Sequence, residues 1–168
     1  ISPEKAVEII NKLPAFIDLV GVFVNASIDQ IHEAKNLCSL DWIQLHGDES
    51  PGFCKEFLSH NVKVMKVIRV KDKADIKKAD DYFTDAILLD AFNQEKYGGT
   101  GCAFDWNIVG HISKRVFLAG GINPDNAVEA VELGVYGIDV CSGVESEPGK
   151  KDHKKMKKLF DNIKHLRG

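Results

Sequence analysis

Residues Ala86–Ala91 read Ala-Ile-Leu-Leu-Asp-Ala, a nearly continuous apolar run that reaches a carboxylate just before its end. A run without polar alternation is typical of a strand buried on both faces, as in a parallel sheet. Five similar segments, bounded by turn-forming or polar residues, lie on either side of it: Val20–Asn25, Trp42–Gly47, Lys63–Val70, Val116–Gly121 and Gly137–Gly143.

The spacing of these segments predicts the fold class. They begin at residues 20, 42, 63, 86, 116 and 137, so that most lie 21 to 23 residues apart. Helical patterns occupy the intervals, each opened by a capping residue or a proline: Ser2-Pro3, Ser27 or Asp29, Ser50-Pro51, Asn123-Pro124 and Asp152. We expect an α/β fold, a TIM (β/α)8 barrel that is incomplete in this chain, with about six of eight strands in a single domain of residues 1–168.

Composition excludes several classes of function. The 168 residues are 44% hydrophobic and 28% charged, with a net charge of −3. These values predict a soluble globular protein and give no reason to expect a nucleic-acid or membrane partner. The four cysteines show neither CxxC pairs nor tight Cys/His spacing, so we expect free thiols in a reducing cytoplasm and no metal, with Cys102 and Cys141 as small apolar fillers.

Two polar residues at predicted strand ends are candidates for chemistry. Asp90 follows an apolar run, and a carboxylate there points into the active mouth of a β/α barrel. A capping or hydrogen-bonded aspartate is the structural alternative, but a charge after such a run is costly unless it is used. His46 ends its strand and is expected to contact substrate, or else to satisfy its ring nitrogens at the rim.

Two glycine segments after the last strands predict a phosphate site. Gly120 and Gly121 stand between a strand and a helix start, where backbone amides can approach an anion. Ser142 and Gly143 add a hydroxyl and further amides after the last strand. Barrels of this class often bind phosphate at these two loops, so the pair predicts a phosphorylated small-molecule substrate.

The longest interval contains a third glycine segment, Gly98–Gly101, after Asp90. Loops after strands carry the chemistry in such folds, so Gly99 and Gly101 are candidates for a backbone platform beside the acid. An ordinary turn is the alternative. No Gly-Lys-Ser/Thr follows, so the segment is not a Walker A loop.

Taken together and in order, these motifs resemble the phosphoribosylanthranilate isomerase family of tryptophan biosynthesis. The resemblance extends over essentially the whole chain and rests on Val22–Asn25, Gln44–Gly47, Leu89-Asp90, Gly98–Gly101 with Phe104–Trp106, Ala119–Ile122 and Asp139–Glu145. It implies an Amadori rearrangement of N-(5-phosphoribosyl)anthranilate to 1-(2-carboxyphenylamino)-1-deoxyribulose 5-phosphate, without cofactor or metal. It also implies that Asp90 is the general acid that protonates the ribose ring oxygen.

The chain departs from the family at its beginning. The family's general-base cysteine lies in a Lys-Ile-Cys-Gly-like segment, and its carboxylate-binding arginine in a Ser-Pro-Arg-Tyr-like one. Neither segment occurs here, and none of the four cysteines matches the base. We therefore expect an N-terminal β-α-β segment to be lacking and the chain alone to have low activity. We also expect two unpaired sheet edges, at Val20–Asn25 and Gly137–Gly143, so that the chain is unstable alone or recruits a complementing N-terminal segment or a swapped subunit.

Two alternatives stay open at this point. A catalytically silent phosphate-binding barrel fragment or scaffold would keep the glycine loops without the chemistry. A different phosphosugar barrel, such as indole-glycerol-phosphate synthase or ribulose-phosphate epimerase, would use strand-end lysines or a metal. Lys63 and Lys66 lie on a predicted strand, but no matching His/Asp set accompanies them.

Overall fold

The computed structural model describes residues 1–58, 61–91, 104–110 and 112–166. The chain forms two compact units. Unit one comprises Ile1–Val67 with Tyr82–Asp85, and unit two comprises Ile68–Asp81 with Ala86–Gly168. No helix among the described residues is both long and apolar enough to cross a bilayer.

Unit one alternates helices and strands. Its helices are α1 (Pro3–Ile10), α2 (Ile28–Cys38) and α3 (Pro51–Lys55), and its strands are β1 (Val20–Phe23), β2 (Trp42–Leu45) and β3 (Lys63–Val70), of which the last three residues are counted with unit two. The strands are parallel and lie in the order of the sequence, with Trp42 opposite both Val20 and Lys63.

Local sequence explains these elements. Ser27 caps α2 through a capping box with Gln30, and Ser50 accepts a hydrogen bond from the amide of Phe53 at the start of α3. The apolar positions of α2, α3, β2 and β3 then meet in a core whose members are fully buried: Ile31, Ile43, Leu45, Cys54, Phe57 and Val64.

Unit two repeats the pattern and adds a hairpin. In chain order it contains α4 (Lys73–Lys77), β4 (Ala86–Ala91), β5 (Arg115–Leu118), α5 (Ala127–Glu132), β6 (Gly137–Ile138), β7 (Glu145–Glu147), β8 (Lys150–Lys151) and α6 (His153–Ile163), with 3₁₀ helices at Lys78–Asp81, Trp106–Ile108 and Ser142–Val144. Strands β4, β5 and β6 are parallel and in sequence order, whereas β7 and β8 form an antiparallel pair. The alternation of strand and helix in both units is that of an incomplete β/α barrel, with six parallel strands in the part of the chain that the structure describes.

The six predicted strands are present, but several of their bounds were wrong. Strands β1 and β2 end two residues early, at Phe23 and Leu45, and β5 spans Arg115–Leu118 rather than Val116–Gly121. The last parallel strand was predicted over Gly137–Gly143 but ends at Ile138, because Cys141 leaves the β region (φ −111°, ψ −89°) and Ser142–Val144 coils into a 3₁₀ helix. Helix α5 begins at Ala127 rather than Asn123. The amide of Asn123 donates a hydrogen bond to Oδ1 of Asn126 (2.8 Å), which forms a turn before the helix. Helix α4 and the β7–β8 hairpin were not predicted.

Candidate active site

Asp90 lies near the end of β4 and is 5% exposed. Its Oδ1 accepts a hydrogen bond from the amide of Ala91 at 2.8 Å. The three residues before it, Ile87–Leu89, are buried in the core and fix the strand that presents it. Asp90 is therefore held at the C-terminal end of a central parallel strand, where barrels of this class carry catalytic groups.

Gly120 brings the first glycine loop against this carboxylate. It adopts φ +84°, and an added Cβ would stand 2.8 Å from the amide nitrogen of Ala91 and 3.1 Å from Oδ1 of Asp90. Only glycine meets both conditions without displacing β4. The neighbouring amide of Ala119 donates to the carbonyl of Leu89 (2.8 Å), which anchors the loop to the strand that bears the acid.

The second glycine loop touches the first. A Cβ at Gly143 would overlap the carbonyl oxygen of Ile122 and stand 3.0 Å from Cα of Asn123. Ser142 lies beside Gly143 in the same 3₁₀ turn and is half-buried. Unit two thus brings together Asp90, Gly120, Gly121, Ser142 and Gly143, five of the residues singled out from the sequence.

Two asparagines that the sequence analysis did not single out support the first loop. The carbonyl of Gly121, a residue at φ +70°, accepts hydrogen bonds from Nδ2 of Asn123 (3.2 Å) and Nδ2 of Asn126 (3.1 Å). Because both amides hold this carbonyl, the orientation of the Gly121–Ile122 peptide is fixed. Asparagine flanking a glycine turn was the available signal, but it was read only as a helix start.

Lys151 of β8 holds the second glycine loop through hydrogen bonds. Nζ of Lys151 donates to the carbonyl of Cys141 (2.7 Å) and to Oε1 of Glu145 (2.9 Å), and the hydrogen bond from Lys151 lowers the pKa of the Glu145 carboxyl. The expectation that Cys141 is an apolar filler was wrong, because its side chain is exposed and its Sγ lies 3.7 Å from Nζ of Lys151.

His46 belongs to unit one and directly follows β2. It is 8% exposed, and its Nδ1 lies 3.5 Å from Nε2 of Gln44, two residues earlier on the same face. Its backbone amide donates to the carbonyl of Phe23 (2.8 Å) at the end of β1. Gly99 and Gly101, the remaining predicted residues, lie outside the described ranges, as does Cys102.

A buried ion pair was missed. Lys66 on β3 and Glu49 after β2 are each 2% exposed and lie 2.8 Å apart (Nζ to Oε2). A lysine in the middle of the apolar strand Lys63–Val70 was the signal, since a buried ammonium requires a partner.

A carboxylate at a strand end beside two touching glycine loops, on a repeated strand–helix scaffold, is typical of a β/α-barrel enzyme. The family model of N-(5'-phosphoribosyl)anthranilate (PRA) isomerase matches residues 1–162. A curated relative, the N-(5'-phosphoribosyl)anthranilate isomerase of Geotalea uraniireducens, is 43% identical over 99% of this chain and 82% of its own length. The chain belongs to the PRA isomerase family.

Solved structures agree with this assignment. The phosphoribosyl anthranilate isomerase of Thermus thermophilus superposes with a TM-score of 0.87 at 33% identity, over 99% of this chain and 82% of that one. A phosphoribosyl anthranilate isomerase in complex with reduced 1-(o-carboxyphenylamino)-1-deoxyribulose 5-phosphate superposes with a TM-score of 0.81 at 34% identity, over 99% and 81% of the two chains.

Proposed function

We propose that this protein catalyses the Amadori rearrangement of N-(5-phosphoribosyl)anthranilate to 1-(2-carboxyphenylamino)-1-deoxyribulose 5-phosphate in tryptophan biosynthesis. The observation that carries the proposal is the packing of Gly120 against Asp90, which sets an acid beside a phosphate-type loop in a member of this family. The reaction is an aldose–ketose isomerisation, so the enzyme is an intramolecular oxidoreductase.

The two glycine loops would bind the 5-phosphate of the substrate. Glycine backbones at Gly120, Gly121 and Gly143 let amides approach an anion, and Ser142 adds a hydroxyl. The amide of Asn123 is already used by Oδ1 of Asn126 (2.8 Å), so the glycines and Ser142 rather than the start of α5 are assigned to this role. The bound phosphate would place the ribose ring over the end of β4.

Asp90 would act as the general acid. Protonation of the ribose ring oxygen breaks the C1′–O bond, and the nitrogen lone pair forms an iminium (a protonated imine) between C1′ and the anthranilate nitrogen. Loss of the C2′ proton then gives a neutral enolamine, which becomes the ketone when C1′ gains a proton and the 2′-hydroxyl loses one. A positioned acid of this kind contributes roughly 10²–10⁴-fold to the rate.

The buried thiols are unsuited to remove the C2′ proton. Cys38 is 5% exposed and Cys54 is fully buried. Burial also raises the pKa of Cys54 to about 11, so that its thiolate is scarce near neutral pH. We assign the acid role to Asp90 and give the base role to neither of these thiols.

We also propose His46, Gly99 and Gly101 as residues that contact the substrate. His46 is buried at a strand end and presents an imidazole that can hydrogen-bond substrate hydroxyls or carboxylate. Gly99 and Gly101 are proposed to contact the substrate through their backbone. We propose the cytoplasm as the location of the reaction, because Cys38, Cys54 and Cys141 are free thiols.

We also propose that the sheet accepts a further strand from a complementing N-terminal segment or a swapped subunit. On β1, Val20 and Val22 are 44% and 57% exposed. Beside β6, an apolar groove is lined by Val140, Met156 and Phe160. Exposed apolar surface at a strand edge favours pairing with another segment. Sedimentation of the purified protein tests this proposal by measuring its association. We expect Val22→Lys to abolish that association.

The function is tested by assay of the protein as its gene encodes it. Phosphoribosylanthranilate, generated in place from anthranilate and phosphoribosyl pyrophosphate, should be converted to the ketose product at an enzymic rate. Expression should also restore growth without tryptophan in a bacterial strain that lacks only this isomerase. Absence of both conversion and growth, with soluble folded protein, would refute the proposal.

A further inference from the structure

The ion pair between Lys66 and Glu49 is fully enclosed in unit one. Both side chains are 2% exposed and their charged atoms lie 2.8 Å apart. Withdrawing two charges from water is costly, and a well-packed apolar pair of similar size is often as stable or more stable. Stability of the core alone therefore does not account for charged groups at these two positions.

Both members of the pair contact the turn that carries His46. Nζ of Lys66 donates to the carbonyls of Leu45 (3.2 Å) and Gly47 (2.7 Å) as well as to Oε2 of Glu49. Oε1 of Glu49 accepts from the amides of Gly47 (3.2 Å) and Asn25 (2.8 Å). The ammonium of Lys66 thus has three acceptors, and each oxygen of Glu49 has a donor.

These bonds lie on both sides of His46. Strand β2 ends at Leu45, so the regular ladder to β3 no longer holds the chain beyond that residue. Lys66, from the position opposite Leu45 on β3, binds the carbonyls before and after His46. Gly47 has no room for a side chain, since an added Cβ would stand 2.6 Å from Oε1 of Glu49.

We propose that Lys66 and Glu49 are positioning residues for the isomerase reaction, which fix the backbone on both sides of His46 and thereby the direction in which its imidazole meets the substrate. The inference rests on the proposed function, because it assumes that His46 contacts substrate. The pair holds His46 in place without touching substrate.

The decisive variants separate positioning from packing. Lys66→Met alone leaves the Glu49 carboxylate buried without its partner, and a loss of stability would be expected for either role. Lys66→Met combined with Glu49→Gln removes both charges at nearly constant volume, so the melting temperature should return toward that of the parent. Glu49→Gln alone is the mildest change, since it keeps the shape and one acceptor. Lys63→Met, on the exposed end of the same strand, is the matched control.

The double variant should have a KM about tenfold above that of the parent and a kcat within about twofold of it. The expected rise in KM is smaller than the 10²-fold cost of a 1 Å misplacement. Lys63→Met should leave KM unchanged. In a His46→Ala background the double change should have no further effect on KM, because its action passes through His46. A double variant with parental KM and parental stability would overturn the proposal, as would an equal KM effect with and without His46.

A second readout does not depend on turnover. The imidazole resonances of His46, identified by their loss in His46→Ala, should shift in Glu49→Gln and in the double variant, and stay in place in Lys63→Met. Unchanged resonances would overturn the positioning role even if the double variant proved inactive. A parent protein without isomerase activity would instead refute the proposed function, so the two failures are distinguishable.

Discussion

The backbone of Gly120 lies directly against the carboxylate of Asp90. An added Cβ at position 120 would stand 3.1 Å from Oδ1 of Asp90 and 2.8 Å from the amide nitrogen of Ala91. The loop after β5 therefore packs directly against the acid at the end of β4, so a displacement of the loop also displaces the acid.

Replacing Gly120 with alanine should damage both stability and activity. The φ of +84° costs an L-residue about 1–2 kcal/mol, and contact with the backbone of Ala91 adds to this cost. We expect a loss of at least about 2 kcal/mol in the free energy of unfolding, measured with urea, and a lower kcat/KM.

Gly134→Ala is the matched control, because Gly134 has φ +73° and an added Cβ there meets nothing within 4 Å. It should show the conformational cost alone, about 1–2 kcal/mol, with unchanged kinetics. Equal effects of the two substitutions on kcat/KM would show that contact with Asp90 does not matter.

Gly143→Ala should weaken binding of the phosphorylated substrate. The new methyl group would overlap the carbonyl of Ile122, so the two glycine loops must move apart. We expect KM to rise about tenfold or more, by analogy with the 10²-fold cost of a 1 Å misplacement. Gly110→Ala, where an added Cβ meets nothing within 4 Å, should leave KM unchanged. A KM that stays at the parental value in Gly143→Ala would argue against phosphate binding at this junction.

Much of this architecture was predictable from local sequence, and the reasons are specific. The strands β3 and β4 have their predicted bounds, since continuous apolar runs define them. Asp90 and the glycines of both loops were singled out as candidates from their places in or after such runs. The Lys66–Glu49 pair was not, because 17 residues separate its members and only the β2–β3 register joins them. The early end of β6 depends on the backbone of Cys141, which no periodicity reveals.

Thiol reactivity should differ sharply between two cysteines. Cys141 is exposed, whereas Cys54 is buried and burial raises its pKa to about 11. At pH 8 only about one Cys54 thiol in a thousand is ionised, so iodoacetamide should label Cys141 rapidly and Cys54 only on unfolding. Peptide mass spectrometry over time measures both rates, and Cys141→Ser identifies the fast site. Rapid labelling of Cys54 in native protein would contradict the packing of unit one.

The Glu145–Lys151 contact should make stability fall in acid. The hydrogen bond from Lys151 holds the pKa of Glu145 below its usual 4.5, so the folded state favours the ionised carboxyl. This contribution is present above the unfolded pKa and is lost as pH falls through the lower folded pKa. Melting temperature should therefore drop less between pH 5 and about pH 3 in Glu145→Gln than in the parent. Glu147→Gln, in the same hairpin but 64% exposed, is the control and should retain the parental slope.

The turnover of Asp90→Asn tests the central claim most directly, because asparagine keeps the shape of the side chain and removes the acid. In the protein as its gene encodes it, we predict a fall in kcat of about 10²–10⁴-fold with KM changed by only a few-fold and the fold intact by circular dichroism. An Asp90→Asn variant that turns over phosphoribosylanthranilate within about tenfold of the parent would contradict the assignment of Asp90 as the general acid.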